Sequence, residues 1–129
     1  MIITKQRKIC VVHGNPIVAR TVVDFLGDLD YEAVAIQTAE DLEARLEAEV
    51  PQTATVVVAQ LEMLGADPVG RLRRIRARQP HVAFLLMDDG SFPVSESVAC
   101  GVRAFLRLPL RLAELERVLA GLHEDSTTL

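Results

Sequence analysis

The 129-residue sequence has no basic excess, no apolar run long enough to span a bilayer and no closely spaced cysteines, and each absence removes a class of function. A net charge of −4 argues against a general binder of nucleic acid or of an anionic membrane surface, because both ligands select for surplus lysine and arginine. Cys10 and Cys100 are remote from each other, with no C-x-x-C pair and no histidine at ligand spacing, so neither a disulfide framework nor a zinc site is indicated. They read as two buried thiols in a reducing compartment. The start, MIITKQRKICVV, puts basic residues before a short apolar stretch, but His13, Asn15 and Pro16 break it before a signal-peptide core forms. With no membrane span, a cytoplasmic protein is expected. Repeats, low-complexity tracts and internal linkers are missing. So are a glycine-rich phosphate loop, an activated nucleophile and an acid/base pair, so no enzymatic activity and no cofactor or metal is expected.

What the chain does contain is apolar pattern. With 50% hydrophobic and 25% charged residues it is long enough for one buried core and too short for two ordinary domains. The expected boundaries are a domain over 1–123 and a polar tail or linker start over 124–129. Apolar, β-rich segments recur at Ile9–Val12, Ala33–Ile36, Thr55–Ala59, Val82–Met87 and Ala104–Leu106. The third and fourth are nearly continuous, as expected of strands buried on both faces. Helical spacing lies between them: Val18, Val22, Phe25, Leu26 and Leu29; Leu42 and Leu46; Val69, Leu72 and Ile75; Val94 and Val98. A last helical pattern runs through Leu112, Leu115, Val118, Leu119 and Leu122. Asn15 before Pro16, and Thr38 three residues before Asp41, have the form of helix N-caps. Strict βα alternation predicts right-handed crossovers and a five-stranded parallel sheet, with any ligand chemistry at the carboxyl ends of its strands. The loops that begin at His13, Thr38, Gln60, Asp88 and Arg107 are therefore the ones to inspect.

In order and spacing, KICVVHGNP, TVVVAQLEMLGADPVG, HVAFLLMDDG and GVRAFLRLP together resemble the receiver domain of response regulators, over roughly Lys8 to Leu122. The resemblance implies a three-layer α/β sandwich of CheY-like, or flavodoxin-like, strand order 2-1-3-4-5 with five helices. It also locates an expected phosphorylation site whose reactive groups are replaced. The acidic pair after strand 1 is matched by His13 and Gly14. The phosphoaccepting Asp of the D-L-x-M-P-G-x-D-G stretch is matched by Gln60. The Thr or Ser of strand 4 is matched by Leu86, and the Lys of the final Lys-Pro by Leu108. An amide is a poor nucleophile, and His13, Gly14 and Gln60 supply none of the carboxylate oxygens that magnesium requires. Leu86 and Leu108 offer no hydrogen bond or charge to a phosphoryl group. The resemblance further implies a switch aromatic at Phe105, a cis peptide before Pro109, and an interaction surface containing Val98, Arg103, Arg107, Arg111 and Glu114. Arg103 and Ala104 stand where many DNA-binding relatives have acids used in dimer salt bridges, so that particular dimer is not expected.

Two readings of function follow. The first is a degenerate receiver in bacterial signal transduction or transcriptional regulation, acting without phosphorylation as a protein-interaction or dimerisation module. Its partner would be a protein, an effector domain or a second copy. The second is a small-ligand or metal sensor using the vacated pocket around His13, Gln60, Asp88 and Asp89. His13 alone also reads as a hydrogen-bonded loop histidine, and Phe105 as ordinary core. A basic patch on the third helix, Arg71, Arg73, Arg74, Arg76 and Arg78, contrasts with the predominantly acidic segment Glu40–Glu49. It is read as a solvated face with local pairing, or as a site for an acidic protein. Nucleic acid is disfavoured by the lack of nearby aromatic residues.

Overall fold

A computed structural model describes residues 8–48 and 55–127, with side chains through Leu122. Five strands, β1 (Lys8–Val12), β2 (Glu32–Ile36), β3 (Thr55–Gln60), β4 (Val82–Met87) and β5 (Val102–Leu106), form one parallel sheet ordered β2-β1-β3-β4-β5. They alternate with α1 (Pro16–Asp28), α2 (Ala39–Glu47), α3 (Pro68–Arg78), α4 (Ser97–Cys100) and α5 (Leu112–Thr127). The architecture is the expected three-layer sandwich.

Burial explains the order. The central strands β3 and β4 are buried almost throughout, whereas edge strands β2 and β5 keep exposed positions. Alternate residues face two cores. Val12, Val57, Ala59, Phe84 and Leu86 pack under α2, α3 and α4, while Ile9, Val11, Val56, Val58, Leu85 and Met87 pack under α1 and α5. Each fully buried leucine or phenylalanine contributes about 1.5–3 kcal/mol before entropy is charged against it. Helix starts are fixed by side chains. Asn15 Oδ1 accepts from the Ile17 and Val18 amides at 2.9 and 3.4 Å, Thr38 Oγ1 from Asp41 at 3.0 Å, and Asp67 Oδ1 from Gly70 at 3.0 Å.

Three expectations change. Val94 and Val98 were read as one face of a full helix, but the segment is a 3₁₀ turn (Val94–Glu96) followed by one α-helical turn, and the two valines are 72% and 87% exposed. Their core place is taken by Phe92, from the preceding loop, and by Cys100. β5 begins at Val102, two residues early, because the Phe84 amide donates to Gly101 O at 2.9 Å and opens the ladder there. Phe84 then pairs with Val102 and Leu85 with Ala104, leaving Arg103 as the extra residue of a bulge on an edge strand, a device that blunts strand pairing with other chains. Finally, α5 continues to Thr127, four residues into the segment read as a tail, since adding residues to an existing helix is far easier than nucleating one.

Candidate functional site

The carboxyl ends of β1 and β3 meet through a side chain. Gln60 ends β3, and its Oε1 accepts a hydrogen bond from the Gly14 amide at 2.9 Å. A Cβ at Gly14 would stand a tight 3.3 Å from Met63 Sδ and 3.4 Å from that same Gln60 oxygen. The position expected of an attacking carboxylate is thus an amide that ties the β1–α1 loop to the sheet. Beside it the half-buried His13 accepts the Asn15 amide at Nδ1, 3.0 Å, which leaves the proton of the neutral ring on Nε2. Burial lowers the pKa of His13 below the ordinary imidazole value, and the Glu62 carboxylate partly opposes that.

Leu86 does not reach this site. It is fully buried in the core beneath α3 and α4, one residue inside β4, because its register partner is Ala59 while Met87 stands opposite Gln60. The first polar side chain after β4 is Asp88, expected from the sequence in a pocket for a small ligand or a metal. Its carboxylate is buried and accepts from Ser91 N and Ser91 Oγ, both at 3.3 Å, and from Phe92 N at 3.1 Å. Those bonds fold the DDGSFP segment back so that Phe92 enters the core, its ring 5.8 Å from that of Phe105 and tilted by 46°. The signal for this was an Asp followed at short range by Ser and an apolar ring, a turn pattern easily read as a solvated loop. Leu108, at the last reactive position, is 42% exposed and precedes Pro109 through a cis peptide.

The single vacated pocket expected around His13, Gln60, Asp88 and Asp89 is two clefts. His13 and Gly14 line one of about 500 Å³ between α1 and the end of β2. Asp88 and Asp89 line another of about 610 Å³ with Phe105, Arg107 and Leu108. Gln60 borders neither, because its oxygen is drawn inward to the Gly14 amide. Among the described residues no three His, Cys, Asp or Glu side chains converge in a way that could hold a metal ion. The magnesium that the receiver resemblance implies does not fit this donor set: an amide, a backbone glycine and an imidazole stand where hard carboxylate oxygens are needed.

The basic patch is largely spent inside the molecule. Arg71 donates to Glu43 at 2.9 Å and lies 3.5 Å from Glu40, Arg78 pairs with Glu47, and Arg73 bonds Glu96 at 2.6 Å. Arg76 packs over Gly101, and Arg74 borders a small cavity of about 60 Å³ with Glu43 and Glu47. Local pairing therefore accounts for the charge segregation. Both cysteines are buried; burial pushes the Cys100 thiol up, with Arg73 opposing, and Sγ lies 3.7 Å from Val69 O. Val98, Arg103, Arg107 and Arg111 are exposed and Glu114 half-buried, along α4, β5 and the start of α5.

No protein-family model matches the chain, and no curated protein is matched by sequence. Solved structures do match it. A two-component response regulator from Clostridium difficile superposes with a TM-score of 0.79 at 15% identity, over 95% of this chain and 100% of that one. A CheY-like response regulator receiver domain protein from Methanospirillum hungatei gives 0.75 at 17% identity, over 95% and 98%. Full-length FixJ from B. japonicum gives 0.78 at 20% identity, over 97% of this chain and 61% of the longer one. The fold is that of response-regulator receiver domains. No helix among the described residues is long and apolar enough to cross a membrane.

Proposed function

We propose that this receiver fold serves two-component-type signalling or transcriptional regulation as a protein-interaction module whose output does not depend on its own phosphorylation. One observation carries the reading: Gln60 Oε1 is hydrogen-bonded to the Gly14 amide, in the place where an acyl phosphate would have to form. An amide does not attack phosphorus to leave a comparable intermediate, and the neighbouring groups neither bind magnesium nor offer a charge to a phosphoryl oxygen. Phe105, which would otherwise move with a phosphoryl group, rests against Phe92, a ring that Asp88 holds in the core.

What remains is a surface. Among the described residues Val94, Val98 and Leu108 are three of the four large apolar side chains that stand exposed, and all three lie on the α4–β5 side. Val94 and Leu108 border the larger cleft, whose wall includes Phe105, and Arg107 adds a cation at its rim. Apolar anchors edged by arginine suit a protein partner, an attached effector domain or a second copy. Adding magnesium with beryllofluoride, the standard phosphoryl mimic, while recording amide spectra tests the reading. No saturable change at Gly14, Gln60 or Phe105 is expected; saturable, site-local shifts would refute it.

A further inference from the structure

The cleft between α1 and β2 has a composition unlike that of the chain around it. In a protein of net charge −4, its lining contains no acidic residue. Its apolar lining is made of short or compact side chains, Pro16, Ala19, Ala35 and Ile36. Besides Gln37, three lining side chains carry hydrogen-bond donors, His13, Arg20 and Thr38. Each is left able to donate by the bond it already makes. His13 Nδ1 is occupied as an acceptor by the Asn15 amide, so Nε2–H is the outward group. Thr38 Oγ1 accepts from the Asp41 amide and keeps its own proton to give. Arg20 touches Asp24 only through Nε, at 3.4 Å on an exposed surface, which leaves both terminal nitrogens of the fork.

From this we infer that the cleft is a binding site for a small monocarboxylate with a short aliphatic body. The carboxylate is taken by the Arg20 fork with Nε2–H of His13 and the Thr38 hydroxyl, and the alkyl chain lies over Ala19, Ala35 and Ile36. A volume of about 500 Å³ is within the range of small-molecule sites. The nearby acids do not compete for the donors: Asp24 is engaged by the Arg20 Nε, and the Asp41 carboxylate belongs to the first turn of α2 beyond the cap. This inference is independent of whether the fold signals without phosphate, since neither Gln60 nor the β4–β5 loops contribute to the cleft.

The same chemistry is carried by a free aliphatic acid and by the C-terminus of a peptide ending in an apolar residue. Titration of the intact protein with butyrate, with an N-acetylated tripeptide ending in valine, with inorganic phosphate and with butylamine separates the possibilities, read by amide shifts and calorimetry. Saturable shifts at Gly14, Ala19, Ala35 and Thr38 are expected with butyrate and none with butylamine. Tighter binding of the peptide than of butyrate would assign the site to a chain terminus. Arg20→Ala removes an exposed side chain and should weaken binding about tenfold or more. His13→Gln, which keeps an N–H near the Nε2 position, should retain more affinity than His13→Phe. Equal shifts with butylamine, phosphate binding as tightly as butyrate, or undiminished affinity in Arg20→Ala would each overturn the inference.

Discussion

Replacing Asp88 by alanine is the most direct probe of what now organises the β4–β5 end of the sheet. The carboxylate accepts three hydrogen bonds, two at 3.3 Å from Ser91 and one at 3.1 Å from the Phe92 amide. Bonds to a charged acceptor contribute roughly 1.5–3 kcal/mol each at good geometry, and these lengths put them at the weak end of that range. Ser91 is exposed and turns to water at little cost, whereas the Phe92 amide is buried with its ring and is left unpaired. The net loss should be about 2–3 kcal/mol, most of it from that one amide. In a domain of this size each kcal/mol moves the melting midpoint by roughly 3–6 °C, so a fall of about 6–18 °C is expected. Thermal unfolding followed by circular dichroism measures that fall, and urea unfolding the free-energy loss, with the slope of the transition checked for constancy. Asp88→Asn retains one acceptor oxygen and should lose about half as much. Because Phe92 lies 5.8 Å from Phe105, both ring systems should shift in the aromatic spectrum of the alanine variant. A loss under about 0.5 kcal/mol with unmoved ring resonances would refute the idea that this carboxylate holds the loop and Phe92 in place.

Three further outcomes follow from the same structure. The imidazole of His13 should titrate below its ordinary range because burial disfavours the cation, and Glu62→Gln should lower it further by removing the opposing charge; proton NMR of the ring measures both. Since the folded pKa is depressed, the unfolded chain binds more protons between the two values, so this residue's contribution to stability is complete above about pH 6.5 and is lost as pH falls towards the folded pKa. For Arg71 and Glu43, whose side chains are 19% and 26% exposed, a double-mutant cycle should give a coupling near 1 kcal/mol, against about 0.5 kcal/mol or less for the more exposed Arg78 and Glu47. Ser97→Ala should raise stability by about 0.5–1 kcal/mol in chemical denaturation, because the buried Ser97 hydroxyl finds no partner among the described residues.

The site was legible in part, and the reasons divide by residue. That Gln60 closes β3 followed from a buried run ending at a polar residue, and its lack of nucleophilic chemistry is a property of the amide in any structure. Leu86 was misplaced because matching by spacing counts residues without knowing where a strand stops; the strand stops one residue later, and Met87 stands opposite Gln60. The Val94 and Val98 pattern has the i, i+4 separation of a packed helical face, yet nothing local distinguishes a face turned to the core from one turned to solvent. Phe92 competed for the same core volume from a loop and won it through Asp88.

By itself, then, the amino-acid sequence determined the βα alternation, the places of the five strands to within a residue or two and an amide at the end of β3. Each depends on residue identity and on periodicities that every backbone of this kind obeys. Tertiary structure alone decided that Gln60 is drawn to the Gly14 amide and that His13 and Asp88 open onto different clefts. It also decided that the arginines of α3 find glutamates on α2 and before α4. These are contacts between residues up to 46 positions apart, and their formation depends on which side of the sheet each loop leaves, a quantity that no local pattern encodes.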